Sequence, residues 1–188
     1  MSEWKLSQAL MLALVIFIVS LAVGVVITVM DPSIGQTFLT LFKDSVVDDI
    51  TGDPAPLLFV KLFLNNLQAC LLLFLGGATF GVVTLFILAT NGLIIGSIVE
   101  LVRGQQGTVF VVVAILPHGI FEIPSFLLSG ALGLLLAKSL YDEWTGTGDA
   151  AVSAAHQGLN FMMYVIPLVL LAAFVEAFIT PGIIRLVT

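Results

Sequence analysis

Apolar residues run along this chain in five long blocks, separated by short polar or turn-forming stretches. A helix needs about 20 mostly apolar residues to cross the hydrocarbon core of a bilayer. The first block, Gln8–Met30, meets that length and stops at Asp31-Pro32. It exceeds the apolar region of a signal peptide and no small-residue cleavage pattern follows it, so it reads as a retained helix. Residues 31–56 are a polar linker with turn signals at Thr51-Gly52-Asp53-Pro54 and Pro56. Inside it, Ile34, Phe38, Leu41, Phe42 and Val46 fall at helical spacing between polar residues, which predicts a short amphipathic helix over Ile34–Ile50 at the membrane surface.

From Leu57 to Val102 the chain is apolar for 46 residues, enough for two spans. Gly76-Gly77 divides it most evenly, which leaves Asn91-Gly92 inside the third span. The fourth block, Thr108–Ala137, contains Pro117, Gly119 and Pro124, and is expected to be kinked or broken there. A polar loop over Lys138–Gly158 and a last span, Leu159–Thr180, complete the pattern. The fold class expected is all-α: one polytopic transmembrane bundle over residues 1–188, with spans near 8–30, 57–76, 78–102, 108–137 and 159–180.

Composition removes the soluble alternatives. The chain is 60% hydrophobic and 10% charged, where soluble domains are about 25% charged. Too little polar surface exists to cover such a core in water, whereas lipid requires no cover. A multi-pass cell-membrane protein in contact with lipid follows. The net charge of −6 comes from acidic connecting segments, and the six basic residues are scattered singly. That excludes a nucleic-acid footprint. Five passes would put Lys5 and Lys138 on one side and Lys43, Lys61, Arg103 and Arg185 on the other, which by the positive-inside rule leaves the N-terminus outside.

The chemistry concentrates in Leu116-Pro117-His118-Gly119-Ile120-Phe121-Glu122-Ile123-Pro124. His118 and Glu122 are four apart and share a helix face. Ionisable groups at bilayer depth are expensive unless paired or wet, so they mark function or a packing lock. Three roles fit the pair: a hydrogen-bonded lock between helices, a path for a proton, cation or small solute, or two ligands of a divalent metal completed by other helices. No resident cofactor is otherwise indicated. Ser125, Ser129, Gly133 and Ala137 continue that face as a small-residue ladder, suited to close helix contact.

Asn65, Asn66 and Gln68 lie within the second span, where amides need partners on other helices. They are packing glue or part of a polar cavity near His118. Glu176 in the last span could join the same polar core. Gly77 with Gly81, and Gly92 with Gly96, are close-approach motifs pointing to a compact bundle or a dimer seam. His156 reads as a solvated loop residue. No HExxH, GxSxG or Walker motif occurs, and Ser125 is about two turns from His118, so an enzyme is disfavoured.

Asn65-Asn66, Asn91-Gly92 with Gly96, the LPHGIFEIP run with Gly130 and Gly133, and Glu176 with Thr180-Pro181 together resemble the stage II sporulation protein M family. The resemblance runs from about residue 57 to the end. It implies an integral membrane protein with a domain of unknown function. In endospore formers the namesake helps localise a peptidoglycan-degrading machine, as a scaffold without hydrolase activity of its own. Similar proteins also occur in archaea and in bacteria that do not sporulate. A homo-oligomer, with a dimer favoured through the glycine- and serine-rich faces, is expected, and the loops at 31–56 and 138–158 are candidate contacts for protein partners.

Overall fold

A computed structural model describes residues 4–42 and 54–184. Among them the chain is helical, with no strand: α1 Leu6–Met30, α2 Pro32–Phe42, α3 Ala55–Leu75, α4 Val82–Gln106, α5 Thr108–Trp144, α6 Ala150–Asn160, α7 Ile166–Phe178 and α8 Thr180–Ile184. Five stretches are long and apolar enough to cross a membrane: Leu6–Met30, Ala55–Thr79, Val82–Gln106, Gly119–Trp144 and Ala150–Ile183. The protein is a multi-pass membrane helical bundle.

The turn between α3 and α4 falls where the glycine pair placed it. A 3₁₀ turn at Gly76–Thr79 tightens the end of α3, and Phe80 and Gly81 then take left-handed conformations (φ 53° and 84°) that reverse the chain. Glycine adopts that conformation freely, whereas a phenylalanine does so only under local constraint. Asn91-Gly92 sits within α4, as expected, and the Asn91 amide is satisfied by donating to the Ile87 carbonyl at 2.9 Å.

Two of the connecting segments are more helical than their polarity suggests. The loop expected at 138–158 is reduced to residues 145–149. Lys138 and Asp142 form an i,i+4 ion pair that carries α5 on to Trp144. Asp149 then caps α6, accepting from the Val152 amide at 3.1 Å. His156 is therefore an exposed residue of a helix, not of a loop. The expected surface helix at Ile34–Ile50 is observed as α2 up to Phe42, and its remainder lies outside the described residues. Ile34, Phe38 and Leu39 are half-buried while Gln36, Thr37 and Thr40 are exposed, so α2 is amphipathic.

The fourth apolar block is one helix, not two halves. The helix runs unbroken through Pro117 and Pro124. At about 1.5 Å per residue α5 is about 55 Å long, against a hydrocarbon core of about 30 Å. It is the central post of the bundle, packing against α1, α3, α4, α6, α7 and α8.

Side-chain neighbours give the direction of each pass. Gly92 lies against Phe17, Gly96 against Leu21, and Ser97 against Gly24, so α1 and α4 run parallel. The face on which α1 begins also carries the α3–α4 turn and the end of α5, where Phe80, Tyr141 and Trp144 cluster with ring centroids 6.1–6.4 Å apart. Aromatic groups of this kind mark a membrane–water boundary. The five passes therefore leave Lys5 and Lys138 at that face and Arg103 at the other.

Candidate functional site

The small residues singled out in the sequence act inside the chain. A Cβ placed on Gly77 would overlap the Gly133 carbonyl, and one on Gly96 would overlap that of Leu21. At Gly92 it would come within 2.6 Å of the Phe17 carbonyl oxygen. Gly81 approaches the Ala137 side chain and supplies the left-handed step of the turn. These contacts hold α1 to α4, and α3 to α5, with backbones nearly touching.

Where the glycines bring backbones together, hydroxyls fasten them. Thr84 donates to the Leu73 carbonyl at 2.8 Å, tying α4 to α3, and Ser97 donates to the Gly24 carbonyl at 3.1 Å, tying α4 to α1. All four of these groups are shielded from lipid. Thr84 and Ser97 carry no motif in sequence; a hydroxyl amid the apolar residues of the third span was the sole signal.

The serine ladder of α5 lies against α3. Ser125 and Ser129 are buried, and each donates back along its own helix, Ser125 to the Glu122 carbonyl and Ser129 to the Ser125 carbonyl, both at 2.7 Å. Such back-bonding satisfies hydroxyls in a dry interior. Pro124 carries no N–H to donate, so the Ile120 carbonyl loses its usual helical partner. Pro124 itself is exposed and Pro117 half-buried, while Gly119 is buried. Buried Cys70 of α3 points its thiol at Ser125, Sγ to Oγ 4.0 Å.

Glu122 is half-buried one turn below Ser125. Its helix, α5, packs against both α3, which carries Cys70, and α7, which carries Glu176. Glu176 is likewise half-buried, one turn before Thr180, whose hydroxyl donates to the Val175 carbonyl at 3.2 Å. Glu122 and Glu176 thus stand half-buried on two helices that pack against each other. His118 belongs to the same helix, but its side chain lies outside what the structure describes. Among the described residues, no group of three His, Cys, Asp or Glu side chains is placed to hold a metal ion.

The amides of α3 divide. Asn66 is half-buried toward the bundle, whereas Asn65 and Gln68 are exposed on its outer face. Asn65 reaches Asn66 at 3.4 Å, a long contact. At the end of α4, Arg103 forms a two-pronged ion pair with Glu100 at 2.6 and 2.7 Å.

This arrangement of α5, its flanking prolines and its polar neighbours coincides with the part of the chain that resembled a known family. The model of the family described as stage II sporulation protein M matches residues 13–181. The chain belongs to that family. Within the stage II sporulation protein M family, it is 31% identical to an uncharacterized protein of Methanocaldococcus jannaschii over 128 residues, covering 66% of this chain and 72% of the relative. A second uncharacterized protein of that archaeon is 31% identical over 127 residues, covering 65% of this chain and 56% of the relative. The chain thus spans little more than half of the second protein's length. No solved structure matches it.

Proposed function

We propose that this stage II sporulation protein M family member is a membrane scaffold or assembly component with no hydrolase activity of its own. The observation that carries the reading is how its distinctive residues are used. Gly77, Gly133, Gly92 and Gly96 join helices within one chain, and Ser125 is buried where α5 meets Cys70 of α3. In this reading Glu122 and Glu176 act as a polar lock where α5 packs against α3 and α7. Membership in the family supports the same reading through the scaffold role that the resemblance implies for its namesake.

The surfaces available to partners are the 31–56 segment, which includes α2, and the 138–158 segment, which forms a helical hairpin tipped by exposed Trp144. A homo-oligomer, in first place a dimer, fits a scaffold that gathers other proteins.

A second reading follows from Glu122 and Glu176, half-buried carboxyl groups on helices that pack together. Carboxylates within membrane spans suit a proton or cation in transit. A metal-dependent activity at His118 and Glu122 would need further ligands from other helices. Proteoliposomes of the purified wild-type protein separate the first two readings. The scaffold moves protons and common cations no faster than empty vesicles; a transporter exceeds them in proportion to the protein added.

A further inference from the structure

Asn65 and Gln68 stand about midway along the Ala55–Thr79 span, yet on the face of α3 turned away from α5 and α7. Gln68 makes no hydrogen bond within the chain among the described residues, and Asn65 makes the single long contact to Asn66. At this depth no water is present to satisfy an amide, and lipid tails cannot do so. Two exposed amides on a lipid-facing surface, with one long contact between them and the chain, therefore call for another polar surface.

The pattern around them defines what that surface is. Asn65, Gln68, Leu72 and Leu75 follow one another at spacings of three, four and three residues. This is the seam of a left-handed helix pair. Leu72 and Leu75 are 49% and 56% exposed, which leaves a continuous uncovered stripe. An amide both donates and accepts, so the stripe is complementary to itself and needs no partner of opposite charge. Copies of one membrane protein insert in one direction, so a two-fold axis along the membrane normal sets α3 parallel to α3. Asn65 then faces Asn65, and Gln68 faces Gln68, of the second copy. The glycine and serine faces cannot provide this seam, because they are already occupied inside the chain.

We infer that the protein forms a parallel homodimer through α3, joined at the bilayer midplane by the Asn65 and Gln68 amides. This goes beyond the scaffold reading and does not depend on it. The test places a single cysteine at Leu72 in a Cys70→Ala background, in membranes, with Val19→Cys on the lipid face of α1 as control. Oxidation should link Leu72→Cys chains into a covalent dimer and leave Val19→Cys chains monomeric. In liposomes diluted with lipid, energy transfer between labelled copies should show Asn65→Leu/Gln68→Leu dimerising at least tenfold more weakly than wild type. The melting temperature of the double variant should not fall, since both side chains are exposed. Absence of the Leu72→Cys dimer, unchanged affinity in the double variant, or cross-linking of Leu72→Cys to a different protein in native membranes would each overturn the inference.

Discussion

Thr84 of α4 donates its hydroxyl to the Leu73 carbonyl of α3 at 2.8 Å, and the same hydroxyl bounds the space beside Gly133 of α5. Three spans are fastened at this one point. Thr84→Val keeps the shape and deletes the donor, leaving a buried carbonyl with one partner fewer. The loss should be about 1–2 kcal/mol. Thermal unfolding in detergent checks it; Thr84→Ser should recover most of the difference.

Gly133 allows no larger residue. A Cβ there would press on Thr84 at 2.9 Å and on the Leu73 carbonyl, both parts of a packed crossing. Gly133→Ala should cost about 1–3 kcal/mol, as overpacking does. Gly158, with nothing within 4 Å of its Cβ position, is the control. Gly158→Ala should leave the melting temperature unchanged or raise it, because alanine favours the helix.

The junction between α1 and α2 responds to acid. The Ser33 hydroxyl donates to Asp31 at 2.7 Å and the Ser33 amide at 3.0 Å, and together they hold the Asp31 carboxyl below the ordinary aspartate value. A carboxyl with a depressed folded pKa contributes its stabilisation above the unfolded value and loses it as pH falls through the folded one. The start of α2 should therefore hold at neutral pH and fray below about pH 4. A carboxyl NMR titration should find Asp31 moving up toward its ordinary value in Ser33→Ala; an unmoved titration would remove the cap from the account.

The spans, the turn at Gly76-Gly77 and the interior position of Asn91 were legible because each follows from hydropathy and turn chemistry alone. The segment 138–158 was not. Its polar residues suggested a loop, whereas the Lys138–Asp142 pair and the Asp149 cap turn polarity into helix. Asn65, Asn66 and Gln68 looked alike in sequence, yet 100° per residue sends Asn66 inward and the other two outward. The glycine motifs fitted a dimer seam as well as an internal one, because a close-approach motif does not say which helix approaches. A five-residue π-helical stretch at Phe161–Val165 left no sign at all. Its Phe161 stacks on Phe74 at 5.4 Å, and wider winding of this kind requires no special residue type.

Glu122 carries the central claim, that the polar core of this bundle is a lock and not a path. Proton and cation flux should be measured in proteoliposomes of wild type and Glu122→Gln at equal folded fraction, together with the melting temperature of each. The account predicts no flux above empty vesicles in either protein, and a lower melting temperature in Glu122→Gln. Wild-type flux that disappears in Glu122→Gln, with the fold equally stable, would contradict it and make Glu122 and Glu176 a transport site.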